Sequence, residues 1–465
     1  MTRWRRIRGW ASLILIYAIT LVLWAAARPA SVWFDGLAAS LHALGVAAGL
    51  VGATAFAANL VLGARLRGIS RWFGGLQALY AVHRANGRFA YLLVLGHVVL
   101  IVASRWAISP RSALDLFTPG AGRTILLGEA AFLAMTIAIV LTLYVRLKHE
   151  LFVYVQRAFG VIFGVAALHV FMSSAAKAGS SALTYYLLFV TIAGLGAFVY
   201  RSLFGNVLVK RFDYLVTGAR ELDPAVVEIT MEPMDGPLRP FPGQFVYATF
   251  YSGEFEAQFH PVSVSTSGRS ATIVLRPGDV RDQFHPFSLT SAPDDPHLKL
   301  AVKAVGTFTK ALHLLKPGAY ARIEGPYGEF SYLNVPHERQ KWVAGGIGIT
   351  PFLSMSRSLR SGGGYDIHLF YGVKTRAEAY FMDELEEIAR SVDGFALTLV
   401  PEDEEGFITA RLLLLEGNDD ANEADFLICG PPAMVAALDG QLRDAGVPPS
   451  SIHAERFGFG PRSGG

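Results

Sequence analysis

The chain has 465 residues, room for two or three domains; 52% are hydrophobic, 17% are charged and the mean hydropathy is +0.37, a balance that leans towards membrane embedding. A formal charge of +3, with no basic stripe and no RNA-binding motif, gives no footing for nucleic acid as a partner. Cys429 is the only cysteine, which excludes an intrachain disulfide, a thiolate zinc site and a Cys-ligated iron–sulfur cluster. Any redox centre is therefore an organic cofactor, a haem or a non-thiolate metal.

The first apolar run, residues 10–27, follows a basic segment and ends in Ala25-Ala26-Ala27, which resembles a signal-peptide cleavage site. Further apolar runs follow it, so a retained first helix is expected. Six membrane helices are expected near 10–27, 37–63, 80–103, 124–145, 152–172 and 183–203, each long enough to cross a hydrocarbon core of about 30 Å. Arg3, Arg5, Arg6 and Arg8 precede the first, Arg65, Arg67 and Arg71 follow the second, Arg146 and Lys148 the fourth, and Lys210 and Arg211 the sixth. The alternate loops are poorer in positive charge, so both termini are expected to be cytoplasmic, in a multi-pass protein of the cell inner membrane.

After Lys210 the pattern changes to short β-branched runs at 226–230, 245–250, 271–275 and 298–305, separated by Pro and Gly. They read as a small antiparallel barrel. Beyond Lys341, strand-like runs at 342–344, 367–371, 396–400 and 425–428 alternate with helix-like runs, the pattern of a parallel α/β sheet. The expected domains are a helical bundle over 1–208, a β-barrel over 209–337 and an α/β nucleotide-binding domain over 338–465.

His83 and His97 lie on one expected helix, 14 residues apart, which separates them by ~21 Å along the axis and only ~40° around it. That spacing suits two metal centres stacked across a membrane. A haem between helices needs a second imidazole, and His169 in the fifth helix supplies one for His97. A weak repeat supports this: Val82-His83-Arg84-Ala85-Asn86-Gly87 resembles Val155-Gln156-Arg157-Ala158-Phe159-Gly160, and each is followed by an apolar stretch ending in a histidine. Gln156 stands where the first copy has His83. His83 thus binds an inner haem alone, binds one with a weak partner, or faces the interface. His42 and His149 have no partner at a useful spacing and are read as packing residues.

Three segments of the soluble half carry chemistry. His285-Pro286-Phe287-Ser288-Leu289-Thr290-Ser291 is an extended stretch suited to the edge of a flavin ring, with Ser288 near the atom that receives hydride, and Gly306-Thr307-Phe308-Thr309 opens a helix-like run suited to pyrophosphate. Gly345-Gly346-Ile347-Gly348-Ile349-Thr350-Pro351 follows a strand and opens a helix, as a phosphate-approaching loop would. Cys429-Gly430-Pro431-Pro432 also follows a strand; Cys429 either borders a nicotinamide ring or is a buried small hydrophobe. Phe457, close to the end, is placed to cover a flavin or to pack.

In this order the segments resemble the ferric reductase / NADPH oxidase superfamily over nearly the whole chain. The resemblance implies a six-helix haem-binding domain, an FAD-binding barrel and a nicotinamide-binding α/β domain. It further implies FAD contacts at His285, Pro286, Phe287, Ser288 and Thr309, nucleotide contacts at Gly345, Gly346, Gly348, Thr350, Pro351, Cys429 and Gly430, Phe457 as the flavin-covering aromatic, and haem ligands at His83, His97 and His169. Two departures stand out. Gln156 replaces the fourth ligand, leaving one haem or two. Phe259-His260-Pro261-Val262-Ser263-Val264-Ser265-Thr266 is an imperfect earlier copy of the flavin motif, expected to be a barrel hairpin, or else, exchanged with the His285 segment, the copy that contacts the flavin.

The expected activity carries electrons from cytoplasmic NADPH or NADH through FAD and haem b to a small-molecule or protein acceptor on the far side, ferric iron and oxygen among the choices. Lys374 and Arg376, after a strand end, lean towards NADPH through a 2′-phosphate contact; a solvated charge pair is the plain alternative. Two rivals remain: an electron-donating subunit of a separate extracytoplasmic enzyme, and a haem-binding protein without catalysis.

Overall fold

Long runs of Leu, Ala, Val, Ile and Phe uninterrupted by proline satisfy their own backbone groups as helix, the one open-ended solution available in hydrocarbon. Six such helices result: α1 (Thr2–Ala25), α2 (Gly36–Gly63), α3 (Leu76–Trp106), α4 (Arg123–Tyr144), α5 (His149–Met172) and α6 (Ser181–Ser202), all long and apolar enough to span a membrane. The computed structural model describes residues 2–27, 34–145, 149–173, 181–202, 204, 209–234, 236–251, 284–415 and 423–455. It divides into two compact units, Thr2–Val209 and Lys210–Gly465.

In the helical unit, α2 is the central element, and its buried face is rich in Ala and Gly. Small residues let backbones approach where lipid removes the hydrophobic drive for association. A β-carbon at Gly52 would lie 3.0 Å from Val94, and one at Gly194 of α6 would lie 2.9 Å from the Ala57 backbone. Ile14, Leu92, Val99, Leu133, Ile137, Val161, Phe189 and Ile192 are exposed on the outside, as lipid-facing side chains are. The buried Asn86 is fully engaged: its amide donates to Ala55 O (2.9 Å) and Asn59 Oδ1 (3.2 Å), and its oxygen accepts from the Tyr17 hydroxyl. An amide left unpaired at this depth would cost several kcal/mol, on the order given for polar groups in hydrocarbon.

The second unit starts with an antiparallel sheet of β1 (Arg211–Asp223), β2 (Val226–Pro233), β3 (Phe245–Tyr251), β4 (His285–Ser288), β5 (Leu298–Lys303) and β6 (Tyr320–Tyr327), in the order β4-β3-β6-β1-β2-β5. Its interior is Tyr214, Val216, Ile229, Val246, Phe250, Leu300 and Ile323 with their neighbours. The edge strands β4 and β5 meet at one bridge, Leu289 to Leu300. Among the described residues the sheet is thus not a continuously hydrogen-bonded closed barrel. The expected strand at 271–275 and the second flavin-like segment at 259–266 lie outside the described residues.

A parallel sheet follows: β7 (Arg339–Gly345), β8 (Asp366–Val373), β9 (Phe395–Pro401), β10 (Asp425–Cys429) and β11 (Ile452–Glu455), ordered β11-β10-β7-β8-β9. The helices α7 (Ile349–Ser358), α8 (Met382–Ser391) and α9 (Pro432–Asp444) accompany it. The chain moves outward from β7 through β8 to β9, then returns to the other side of β7 as β10. That reversal opens a crevice beyond the carboxyl ends of β7 and β10, where open parallel sheets bind ligands.

α7 ties the two sheets together. Ser354 Oγ donates to Ser291 O (2.7 Å), and Arg357 Nη1 to Thr290 O (2.7 Å). Arg357 also makes a two-pronged pair with Glu384 at 2.6 and 2.8 Å. Gly243, at φ +84°, presses against Met355 and Phe330 O, either of which a β-carbon would meet at 2.3 Å. Farther along, the Tyr380 hydroxyl donates to Asp223. Burial raises the Asp223 carboxyl, but the Tyr380 hydroxyl, the backbone N–H groups of Ala225 and Val226, and Lys303 outweigh it and hold the group below its ordinary range.

Arg357→Ala removes the bond to the Thr290 carbonyl and the partly solvent-screened pair with Glu384 at once. It should cost about 1–2 kcal/mol in the second unit, read as a lower thermal midpoint by tryptophan fluorescence; an unchanged midpoint would mean α7 is not the tie.

Candidate functional site

Three histidines of the bundle are seated in the same way. His97 Nδ1 bonds to Gly45 O (2.8 Å), His169 Nδ1 to Thr124 O (2.7 Å) and His83 Nδ1 to Asn59 O (3.1 Å). A carbonyl only accepts, so each Nδ1 carries the proton and each Nε2 keeps its lone pair. In every case the residue four positions beyond the accepting carbonyl is glycine: Gly49, Gly128 and Gly63. Helical β-carbons tilt back over the preceding turn and would cover that carbonyl. A β-carbon would fall 2.7 Å from His97 Nδ1 at Gly49, 2.7 Å from His169 Nδ1 at Gly128, and 3.4 Å from the His83 ring at Gly63. Glycine is thus what opens the seat, most tightly for the first two.

Two of these rings face each other. The His97 and His169 centroids are 6.2 Å apart at an interplanar angle of 68°, and both rings are only half-buried. His83 sits a stretch of α3 away, and among the described residues no ring contact with a second imidazole is present there; Gln156 Nε2 donates to Thr142 Oγ1 (3.3 Å). His42 is an exposed side chain on α2.

In the second unit, β4 pairs with β3, setting Ser288 opposite Phe245 and His285 opposite Ala248. Among the described residues its other side carries only the bridge that follows it, Leu289 to Leu300. His285 stacks on Phe308 at 3.9 Å, Pro286 is exposed, and Phe287 and Ser288 are buried. The Thr309 hydroxyl is already engaged: it accepts from Val305 N and Gly306 N (both 2.9 Å) and donates to Gly306 O (3.1 Å), capping the short helix Thr307–Ala311. Its role in the structure is that cap.

The β7 and β10 loops meet in the crevice at the topological reversal. A β-carbon at Gly345 would lie 2.7 Å from Met434 Sδ and one at Gly348 2.3 Å from Cys429 O, while Gly430 lies against the Gly345 backbone. Gly345, Gly348 and Gly430 are therefore close-packing glycines, and Gly346, at φ +53° and partly exposed, forms the turn itself. Thr350 is 3% exposed and its hydroxyl donates to Ile347 O (3.0 Å); Pro351 is buried in the first turn of α7. Cys429 is fully buried among the β-sheet core residues, the small-hydrophobe alternative of its two readings. Phe457 lies outside the described residues.

Arg376 follows β8 on the surface and is not free. Its Nε lies 2.9 Å from both oxygens of Glu404 and its Nη2 lies 2.8 Å from Oε2. Glu404 belongs to an exposed acidic turn, Glu402–Glu405, at the end of β9. The ion pair raises the Arg376 guanidinium further above its ordinary range.

Sequence reasoning missed Gly49, Gly128, Thr142, Ser354 and Arg357. Gly49 and Gly63 are 14 residues apart, the same interval as His83 and His97, and that shared period was the available signal. Burial first, and the nearby Glu455 second, push the Cys429 thiol well above its usual range. Iodoacetamide at pH 8 should accordingly leave the native protein unlabelled by mass spectrometry and label it once unfolded; rapid native labelling would put the thiol in the crevice.

Comparison with known proteins places names on both units. Residues 48–167 match the model of the ferric reductase like transmembrane component, and residues 342–439 match the oxidoreductase NAD-binding domain. NADH-cytochrome b5 reductase 1 of Aspergillus terreus is 30% identical over 210 residues, 41% of this chain and 70% of that protein. Ferredoxin–NADP reductase B of Sorangium cellulosum is 29% identical over 263 residues, 53% of this chain and 97% of that protein. The reductase component of the naphthalene 1,2-dioxygenase/salicylate 5-hydroxylase systems of Ralstonia sp. is 32% identical over 204 residues, 41% of this chain. This chain spans only 60% of the length of that component, and 54% and 53% of two other dioxygenase electron transfer components. With a ferric-reductase-like membrane domain and a ferredoxin-reductase-type NAD-binding domain in one polypeptide, the chain belongs to the ferric-reductase-like transmembrane oxidoreductases.

Proposed function

We propose that the protein carries electrons from cytoplasmic NADH, through FAD and haem b, to a one-electron acceptor across the membrane, ferric iron or oxygen being the simplest. The observation that carries this reading is the facing pair His97 and His169. Two imidazole–metal bonds of about 2 Å each, with half a ring on either side, span roughly 6 Å, and the ring centroids are 6.2 Å apart. Among the described residues no group of three or more His, Cys, Asp or Glu could hold a bare ion. Two imidazoles alone suit an iron whose other ligands arrive with it, as in a porphyrin.

When bound, FAD accepts hydride from the nicotinamide and releases electrons singly, and haem iron relays each one. The chain's own residues do the positioning. Gly45 O and Thr124 O fix the two rings through Nδ1, so both Nε2 lone pairs are available to one metal. β4, with the Ser288 backbone, offers hydrogen bonds to a flavin edge. Gly346 and the N–H groups at the start of α7 receive pyrophosphate. The arginines at the ends of α1, α2 and α4 support a cytoplasmic placement of the soluble unit, in three proposed domains, 1–208, 209–337 and 338–465, the second a barrel. A second reading, in which the acceptor is a partner protein, draws support from the relatives that are reductase components of oxygenase systems.

The nucleotide is proposed to be NADH, against the leaning that Lys374 and Arg376 suggest from sequence. Arg376 is the natural 2′-phosphate partner, yet Glu404 holds it and Asp403 and Glu405 add negative charge around it. A dianionic 2′-phosphate is repelled there, whereas a ribose hydroxyl finds acceptors. NADH should reduce the flavin with kcat/KM at least ~10-fold above NADPH, about 1.4 kcal/mol of discrimination. Glu404→Gln should narrow that gap, chiefly through a lower KM for NADPH. A wild-type preference for NADPH would reverse the assignment.

The central test is anaerobic addition of NADH to purified protein with visible spectra recorded. The bands of reduced haem should appear in the wild type and be missing from His97→Ala and His169→Ala. Gly49→Ala and Gly128→Ala should lower haem content several-fold by displacing the rings. If both histidine variants keep their iron and spectrum, the proposal fails.

A further inference from the structure

The bundle contains four positions at which a histidine seat could form, and the structure fills the fourth in a different way. Gly49 and Gly63 on α2 are 14 residues apart, matching His97 and His83 on α3, which run antiparallel to them. On the second helix pair, Gly128 of α4 seats His169 of α5, and 14 residues beyond Gly128 stands Thr142. The carbonyl four positions earlier, Ala138 O, accepts the Thr142 hydroxyl at 2.7 Å, and Thr142 Oγ1 accepts Gln156 Nε2 at 3.3 Å. Gln156 is the residue that the internal repeat aligns with His83.

Back-bonded threonines are ordinary in membrane helices, and this bundle has others: Thr20, Thr54 and Thr136 each donate to the carbonyl four residues back. What distinguishes Thr142 is its register. Its hydroxyl occupies the acceptor that an imidazole Nδ1 would need, its β-carbon covers the place that glycine leaves open at the other three seats, and its partner is the residue at the ligand position. Both halves of the seat are altered, and the altered halves bond to each other.

We infer that Thr142 and Gln156 together close the inner site, so that the protein binds one bis-imidazole haem, between His97 and His169, and none at the level of His83. The inference rests on the haem reading of the His97–His169 pair and adds a count to it. His83, anchored to Asn59 O, then has Gln156 rather than an imidazole at the ligand position that the repeat gives α5.

The test is stoichiometry on the purified full-length protein: haem by pyridine haemochrome, iron by elemental analysis and low-spin signals by electron paramagnetic resonance. The wild type should give one haem per polypeptide and one low-spin species. Gln156→His alone should stay near one, because Thr142 still covers the carbonyl. Thr142→Gly with Gln156→His should rise towards two and add a second low-spin signal and a second step in a redox titration. Two haems in the wild type, two in Gln156→His alone, or one in a well-folded double variant would overturn the inference. Where the double variant does not assemble, the wild-type ratio decides. A wild type with no haem at all would instead remove the electron-relay reading on which the count stands.

Discussion

A carbonyl inside a membrane helix already accepts one hydrogen bond, and the helical unit of this protein depends on making three such carbonyls accept another. An imidazole N–H left unpaired in hydrocarbon is costly, so each histidine must find an acceptor, and the helix backbone is the nearest. The carbonyl is reachable only where the side chain four residues on is absent. This is why Gly49 and Gly128 press against His97 and His169 at distances no β-carbon tolerates. The same bond that satisfies the ring also sets its tautomer and aims its second nitrogen, so packing, protonation and ligand geometry are one constraint.

The soluble unit meets a related demand with backbone rather than imidazole. The loops after β7 and β10 must approach closely for the crevice at the strand reversal to exist, and Gly345, Gly348 and Gly430 let them. α7 then begins at the nucleotide loop and, five and eight residues on, bonds the carbonyls of Ser291 and Thr290 that follow β4. Five residues of helix are about 7.5 Å. Reacting atoms must be held within roughly 3–3.5 Å of one another for transfer, and a single rigid helix spanning both motifs is a direct way to fix that distance. Arg357, bonded to Thr290 O and paired with Glu384, keeps the helix from sliding.

Much of this was legible in the chain. The membrane helices fall within a few residues of expectation because proline-free apolar runs have one solution in lipid. The strands at 226–230, 245–250, 298–305 and 342–344 were found for the same reason on a shorter period. β1 and β6 escaped because their burial alternates with charge and they carry Gly218 and Gly325-Pro326, signals that normally mark turns. The paired histidines were readable from spacing. Their glycine seats were not sought, since a glycine in an apolar helix usually speaks only of close packing. Thr309 and Arg376 carry a further lesson: a hydroxyl and a guanidinium that suit a phosphate equally suit a neighbouring N–H and a carboxylate, and sequence does not say which arrives first.

The fourth seat shows the constraint from its other side. A histidine opposite Thr142 would have no carbonyl to bond, and a glycine at 142 opposite Gln156 would leave a gap in the helix contact and an amide seeking a partner in hydrocarbon. Either single exchange leaves an unmet polar group, which low dielectric makes expensive. Threonine and glutamine together meet every need: Ala138 O is bonded, the hydroxyl is bonded and the amide donates. The energetic terms at the two positions are thus not separable, as for any two residues sharing one hydrogen-bond network. Losing an imidazole alone would leave an unmet polar group; the Thr142–Gln156 pair is instead a finished alternative packing, and so the three seated histidines divide into a neighbouring pair, His97 and His169, and His83 apart from them.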